Sequence, residues 1–130
     1  MSASGAIDRV GVVGAGQMGS GIAEVSARAG CDVVIVEVSP DAADAARARI
    51  EKSLQRGVDR GKLTAQDADA TLGRLRASSE MTDLADRQLV VEAVVERKDA
   101  KLDVIRRLAE VVEPADAILA SNTSSIPIVR

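Results

Sequence analysis

A chain of 130 residues, 46% of them hydrophobic and 28% charged, is long enough to bury one sizeable core and is read as a single domain over residues 1–130. It has no aromatic residue and a formal net charge of −3, so no side chain could stack on a base and no basic excess would draw a phosphate backbone; a nucleic-acid partner is not expected. The single cysteine, Cys31, excludes an internal disulfide and any metal site built on cysteine pairs, and with neither histidine nor tyrosine the chain lacks the common proton acceptors of alcohol-oxidising sites.

Residues 1–6 are small and polar and are read as a frayed end. They carry no basic segment followed by an apolar one, so no secretory signal is expected, and no run of about 18 apolar residues marks a membrane span. A cytoplasmic setting fits the lone cysteine. Ile7–Val13 is the first predicted strand, broadly apolar as a buried parallel strand should be. Gly14-Ala15-Gly16-Gln17-Met18-Gly19 follows at once, a G-x-G-x-x-G loop between a strand and a helix. In that setting Gly14 permits the tight turn, Gly16 lets a pyrophosphate reach the backbone, and Gly19 lets the helix pack close to the strand. The helix N-terminus then offers free N–H groups and a positive dipole end to phosphates. Alone, the motif also suits an ordinary strand-to-helix turn.

Met18–Ala29 is the predicted helix, with Met18, Ile22, Val25 and Ala29 as its buried face and Gly30 as its C-terminal cap. Cys31 reads as a small residue at a strand entrance. Asp32–Glu37 is the second strand, β-branched and ending in an acid. Glu37 stands roughly 20 residues past the loop, the interval of the carboxylate that binds an adenosine ribose. Such a group accepts from both ribose hydroxyls and repels a 2′-phosphate, which favours NAD over NADP.

Ser39 is the N-cap and Pro40 the first turn of a long helix over Asp41–Val58, with Ala43, Ala46, Ile50, Leu54 and Val58 inward. Gly57 and Gly61 suggest a break, and Thr64 caps a further helix to Leu75. This excursion exceeds what a βαβ crossover needs and carries Arg47, Arg49, Lys52, Arg56, Arg60 and Lys62. Such a run is either a solvated charged face or a docking surface for a polyphosphate, and the residues alone do not choose.

Arg76–Ser79 is a short third strand, Met81–Asp86 a loop or single turn, and Gln88–Val95 the fourth strand. Lys98–Val112 is a helix with Leu102, Ile105, Leu108, Ala109 and Val112 inward, ended by Pro114; Glu110 and Glu113 oppose its dipole for no evident reason. Ala117–Ala120 is the fifth strand, followed by the polar stretch Ser121–Ser125. The alternation predicts an α/β fold: a Rossmann-type doubly wound parallel sheet of order 3-2-1-4-5 with a helical insert after the second strand. Ligands of such sheets bind beyond the carboxyl ends of the strands, where Gly14–Gly19, Glu96–Lys101 and Ser121–Ser125 converge.

GVVGAGQMGSGIA (Gly11–Ala23), VVEAVVERKDAK (Val90–Lys101) and ASNTSS (Ala120–Ser125), together with the two-helix insert, resemble the L-3-hydroxyacyl-CoA dehydrogenases, and among them the short 3-hydroxybutyryl-CoA dehydrogenases. The resemblance covers essentially the whole chain. It implies an oxidoreductase of fatty acid metabolism that oxidises the C3 hydroxyl of a 3-hydroxyacyl-CoA to a ketone by hydride transfer to NAD. Gly14, Ala15, Gly16, Gln17, Met18 and Gly19 would form the NAD loop, with Glu37 on the ribose and Glu96, Lys101 and Asn122 as further cofactor contacts. Ser124 matches the active-site serine that hydrogen-bonds the substrate oxygen, and Ser53 and Arg60 match the CoA-contacting positions, Arg60 keeping the charge of the family's lysine.

In the family a catalytic His and its Glu partner follow the serine-rich stretch, and a helical C-terminal domain forms the homodimer. The chain is therefore read as the N-terminal NAD-binding domain, truncated before them and inactive by itself, with an acyl-CoA as partner and no metal. Two other readings stay open: a non-catalytic nucleotide-binding or redox-sensing module, and a sugar-acid dehydrogenase of the gulonate type. Enzymes of the 3-hydroxyisobutyrate and 6-phosphogluconate type share a glycine loop with Met-Gly but lack the long basic insert.

Overall fold

Among the described residues five short strands lie side by side in one sheet: β1 (Arg9–Val13), β2 (Asp32–Val36), β3 (Leu75–Ser78), β4 (Leu89–Glu92) and β5 (Ile118–Ser121). Their order is β3-β2-β1-β4-β5 and every neighbouring pair is parallel. The computed structural model describes residues 7–14, 16–93, 98–113 and 117–121. The doubly wound order expected from the sequence is the one observed.

Among the described residues the helices are α1 (Gln17–Arg28), α2 (Pro40–Asp59), α3 (Ala65–Gly73) and α4 (Lys98–Val111), with a 3-10 turn at Met81–Leu84. One core lies under α1, α2 and α3, where Val10, Val12, Val33 and Ile35 of the sheet meet Ala23, Ala46, Ile50 and Leu54. The other lies under α4 and the 3-10 turn, where Val13, Val34 and Val90 meet Leu84, Leu108 and Val112. Helices on both faces explain why the strands are apolar at nearly every position rather than at alternate ones. The chain changes face between β1 and β4, which makes the gap between their carboxyl ends the topological switch point.

The buried face of α1 differs from the expected one. Gly19, Ser20, Ala23 and Ala27 are buried. Met18 and Val25 are 53% and 68% exposed, and Ala29 is the exposed C-cap; only Ile22 of the predicted face packs against the core. The helix lies so close to the sheet that only small residues fit between, and the larger apolar side chains turn outward.

The insert departs in a second way. Gly57 does not break α2, which runs on to Asp59. A Cβ there would strike the side chain of Leu63, so Gly57 is a place of close approach. Gly61 ends the helix at φ +73°, with its N–H donating to Val58 O at 3.0 Å and that of Lys62 to Gly57 O at 2.9 Å. Gly30 closes α1 in the same pattern. The predicted helix over Thr64–Leu75 stops at Gly73, because Leu75 pairs with Val33 in the sheet. Ser39 and Thr64 cap their helices as expected, accepting from Ala42 N and Asp67 N.

Leu108 on α4 and Val112 just past its end are buried and Ile105 is half-buried, whereas Ala109 is exposed, one position off the packed stripe. The side chain of Leu102 lies outside the described residues. Glu110 and Glu113 are exposed, so water screens them from the helix end, and the Glu113 N–H donates to Ala85 O at 2.7 Å. Cys31 is half-buried against the first core, as expected of a small residue at a strand entrance.

Candidate functional site

Two backbone hydrogen bonds build the centre of the site. Gly14, at φ +83°, turns the chain out of β1, and its N–H donates to Val36 O at 2.9 Å. That bond joins the glycine loop to the last residue of β2, so the next residue, Glu37, stands beside the loop. The Glu37 N–H donates in turn to Ser78 O of β3 at 2.9 Å, and the residue is half-buried.

The loop then starts α1. Gly16 is its N-cap, no side chain caps the helix, and its first turn carries no acid. The three glycines separate by surroundings. A Cβ on Gly19 would collide with the carbonyl oxygen of Gly14, whereas one on Gly16 would meet nothing within 4 Å. Gly19 thus serves packing, and Gly16 leaves an open approach to the uncapped N–H groups. Gln17 and Met18 are exposed at this end. A pyrophosphate on the helix end with a ribose on Glu37 fits this arrangement.

Across the switch point, Ala93 N donates to Val13 O at 2.8 Å. The residue before it, Glu92, is fully buried, partnered, and in register with Val13 on one side and Ser121 on the other. Sequence reasoning missed this carboxylate; its signal was one acid inside an apolar strand. Lys101 lies on α4, which follows β4, while its side chain is outside the described residues, as are Ala15, Glu96, Asn122 and Ser124 altogether.

A cleft of about 460 Å³ opens between α1 and α2, lined by Gln17, Ser20 and Glu24 on one side and Arg49, Ser53 and Arg56 on the other. Ser53 therefore faces α1. Arg60 is the C-cap of α2, exposed, and not part of this lining. The structure divides the basic run: Arg47 donates to Leu75 O at 2.7 Å and holds the insert to the sheet, Arg49 donates to Ser20 Oγ at 3.2 Å, and Arg56 stands in the cleft.

A family model described as 3-hydroxyacyl-CoA dehydrogenase, NAD binding domain, matches residues 9–130. The chain belongs to this family. It is 56% identical over 127 residues to a 3-hydroxybutyryl-CoA dehydrogenase of Mycobacterium tuberculosis, covering 98% of this chain and 44% of that protein. A probable 3-hydroxybutyryl-CoA dehydrogenase of Deinococcus radiodurans is 49% identical over 121 residues, 92% of this chain and 42% of the relative. The crystal structure of FadB2 from M. tuberculosis superposes with a TM-score of 0.91 at 57% identity, over 95% of this chain and 43% of that one. That of (S)-3-hydroxybutyryl-CoA dehydrogenase from Ralstonia eutropha gives 0.87 at 39% identity, over 93% and 42%. The chain thus spans less than half the length of these relatives. Its cofactor is NAD, as the family model indicates. Among the described residues no helix is long and apolar enough to cross a membrane.

Proposed function

We propose that this domain serves an enzyme that oxidises a 3-hydroxyacyl-CoA, with 3-hydroxybutyryl-CoA as its substrate, to the 3-oxoacyl-CoA in the cytoplasm. The observation that carries the reading is the Gly14 N–H to Val36 O bond, which sets Glu37 beside an uncapped helix N-terminus. Bound NAD would supply the acceptor for the C3 hydride. The chain's own residues would hold and orient it: the N–H groups at Gly16, Gln17 and Met18 would receive the pyrophosphate across the open side of Gly16, with Gly14 and Gly19 shaping the turn and Ala15 a further residue of the NAD loop. Glu37 accepts from the ribose hydroxyls and excludes a 2′-phosphate, which selects NAD over NADP. Glu96, Lys101 and Asn122 would contact the cofactor, Ser124 would hydrogen-bond the substrate oxygen, and Ser53 and Arg60 would contact CoA. The names of the relatives support the substrate class. A homodimer is the assembly proposed.

The alcohol proton needs a base, and the 130 residues contain no histidine. The chain by itself is expected to bind NADH and to show no turnover of 3-hydroxybutyryl-CoA in a nicotinamide absorbance assay; measurable oxidation would refute the inactivity. Calorimetry with NADH tests the cofactor site. Glu37→Ala removes a charge-assisted hydrogen-bond pair worth about 1.5–3 kcal/mol, so affinity should fall roughly 10- to 100-fold. Unchanged affinity would sink the ribose role of Glu37.

A further inference from the structure

Among the described residues two ionisable side chains are buried almost completely, and they stand at opposite ends of the sheet: Arg87 just before β4 and Glu92 as its last residue. Arg87 is engaged on Asp86 and Asp32 at the amino end. Glu92 stands at the carboxyl end, beside Val13 of β1, the residue before Gly14. Its row of the sheet calls for an apolar side chain. Val13 and Val36 in that row, and Val90 two positions earlier on the same face, all pack in the core under α4. Ala93 points the other way, its Cβ 3.4 Å from where a Cβ on Gly19 of α1 would lie. The Glu92 carboxylate is thus fixed on the α4 side of the switch point, away from water. Burial is costly for a carboxylate, and its partner within the fold lowers that cost without explaining why an acid stands in a valine's place.

We propose that Glu92 biases the cofactor site toward the oxidised form of NAD. The nicotinamide ring is positively charged in NAD+ and neutral in NADH. A carboxylate fixed at the switch point and shielded from water attracts the first form and not the second. The role is electrostatic and asks for no contact with the ring. It rests on Glu37 taking the ribose, since that sets the direction of the cofactor along the sheet. With the adenosine beyond β2 and the pyrophosphate at the start of α1, the nicotinamide half would extend to the β4 side, where Glu92 stands.

Calorimetry of the 130-residue chain with NAD+, NADH and ADP-ribose tests the role, because ADP-ribose lacks only the nicotinamide. Glu92→Gln should weaken NAD+ about five- to tenfold, while NADH and ADP-ribose each change less than about twofold. Glu92→Asp keeps the charge and should hold the ratio of NAD+ to NADH affinity within about twofold of wild type. A loss shared equally by the three ligands makes Glu92 a packing residue and overturns the proposal, as does a Glu92→Gln chain whose NAD+ to NADH ratio is unchanged. A buried acid can also be needed for folding, so a measurement on the wild-type chain stands beside the variants. The carboxyl carbon resonance of Glu92 should shift further with NAD+ than with NADH or ADP-ribose; equal shifts with all three overturn the role even if no variant folds. The ribose reading fails separately: Glu37→Ala should weaken all three ligands alike, and affinities that stay unchanged would remove Glu37 from the site.

Discussion

Gly16 and Gly19 belong to one motif, yet they answer to different physics. The space beside Gly16 is empty, and its φ of −60° suits any residue. Gly16→Ala should therefore leave stability within about 0.5 kcal/mol. It should weaken NADH binding, because the added methyl stands where the pyrophosphate approaches. Gly19→Ala drives a methyl into Gly14 O, backbone that cannot rotate away, and should cost about 1–3 kcal/mol of stability. Urea melts and NADH calorimetry on the pair read both quantities. A stable Gly19→Ala beside a destabilised Gly16→Ala would reverse the assignment.

The same distinction recurs between the elements of the insert. α2 and α3 lie as a pair because α2 stops at one residue, Gly61, whose φ of +73° lets the N–H groups of Gly61 and Lys62 turn back onto Val58 O and Gly57 O. A side chain at that φ is strained by about 1–2 kcal/mol, so Gly61→Ala should lower the thermal midpoint by several degrees. No Cβ clash adds to that, since nothing lies within 4 Å of the position. A midpoint unchanged within error would show that the turn does not hold the insert. α1 shows what the element scale demands of composition. With Ala23 and Ala27 fully buried against the sheet, bulk is tolerated only on its far side, where Met18 and Val25 stand exposed.

At the scale of the molecule the sheet has two differently built ends. The carboxyl end carries the glycine loop, Glu37 and buried Glu92. The amino end is tied by Arg87, whose side chain is 3% exposed. Its Nη1 lies 3.0 Å from Asp32 Oδ2 and donates to Asp32 O at 3.0 Å, while Nε and Nη2 donate to the two carboxylate oxygens of Asp86, each at 3.0 Å. Burial works against the Arg87 charge, but the hydrogen bonds to Asp86 and Asp32 outweigh it and raise its pKa. The same Arg87 hydrogen bond holds the Asp86 carboxyl below its ordinary value of 3.8, with burial opposing. A depressed carboxylate contributes stability that is complete above about pH 5 and is lost as pH falls through the folded-state value. Arg87→Met should cost about 1–3 kcal/mol near neutrality, discounted because both carboxylates are largely exposed. It should also flatten the loss of stability between about pH 5 and pH 3. Urea midpoints across that range check both, and an acid limb as steep as wild type would remove Arg87 from the account.

Much of this protein is legible in one dimension because the signals are local. Strand and helix alternation, the caps at Ser39, Thr64 and Gly30, and the order of the sheet follow from apolar runs, turn residues and the handedness of crossovers. The glycine loop and Glu37 are legible for the same reason: a fixed interval along the chain becomes a fixed place when a strand, a helix and a strand lie between. Tertiary structure alone decided what depends on distance between elements. It turned the outer face of α1 inside out, because closeness to the sheet selects for small side chains rather than apolar ones. It explained Gly11 within β1, where a Cβ would lie 2.5 Å from Leu84 Cδ2 and 3.1 Å from Arg87 Cγ, side chains more than seventy positions away. It sorted the basic run of the insert, placing Arg47 on backbone carbonyls and Arg56 in the cleft, since a charge pattern along a helix does not reveal which neighbour each charge will meet.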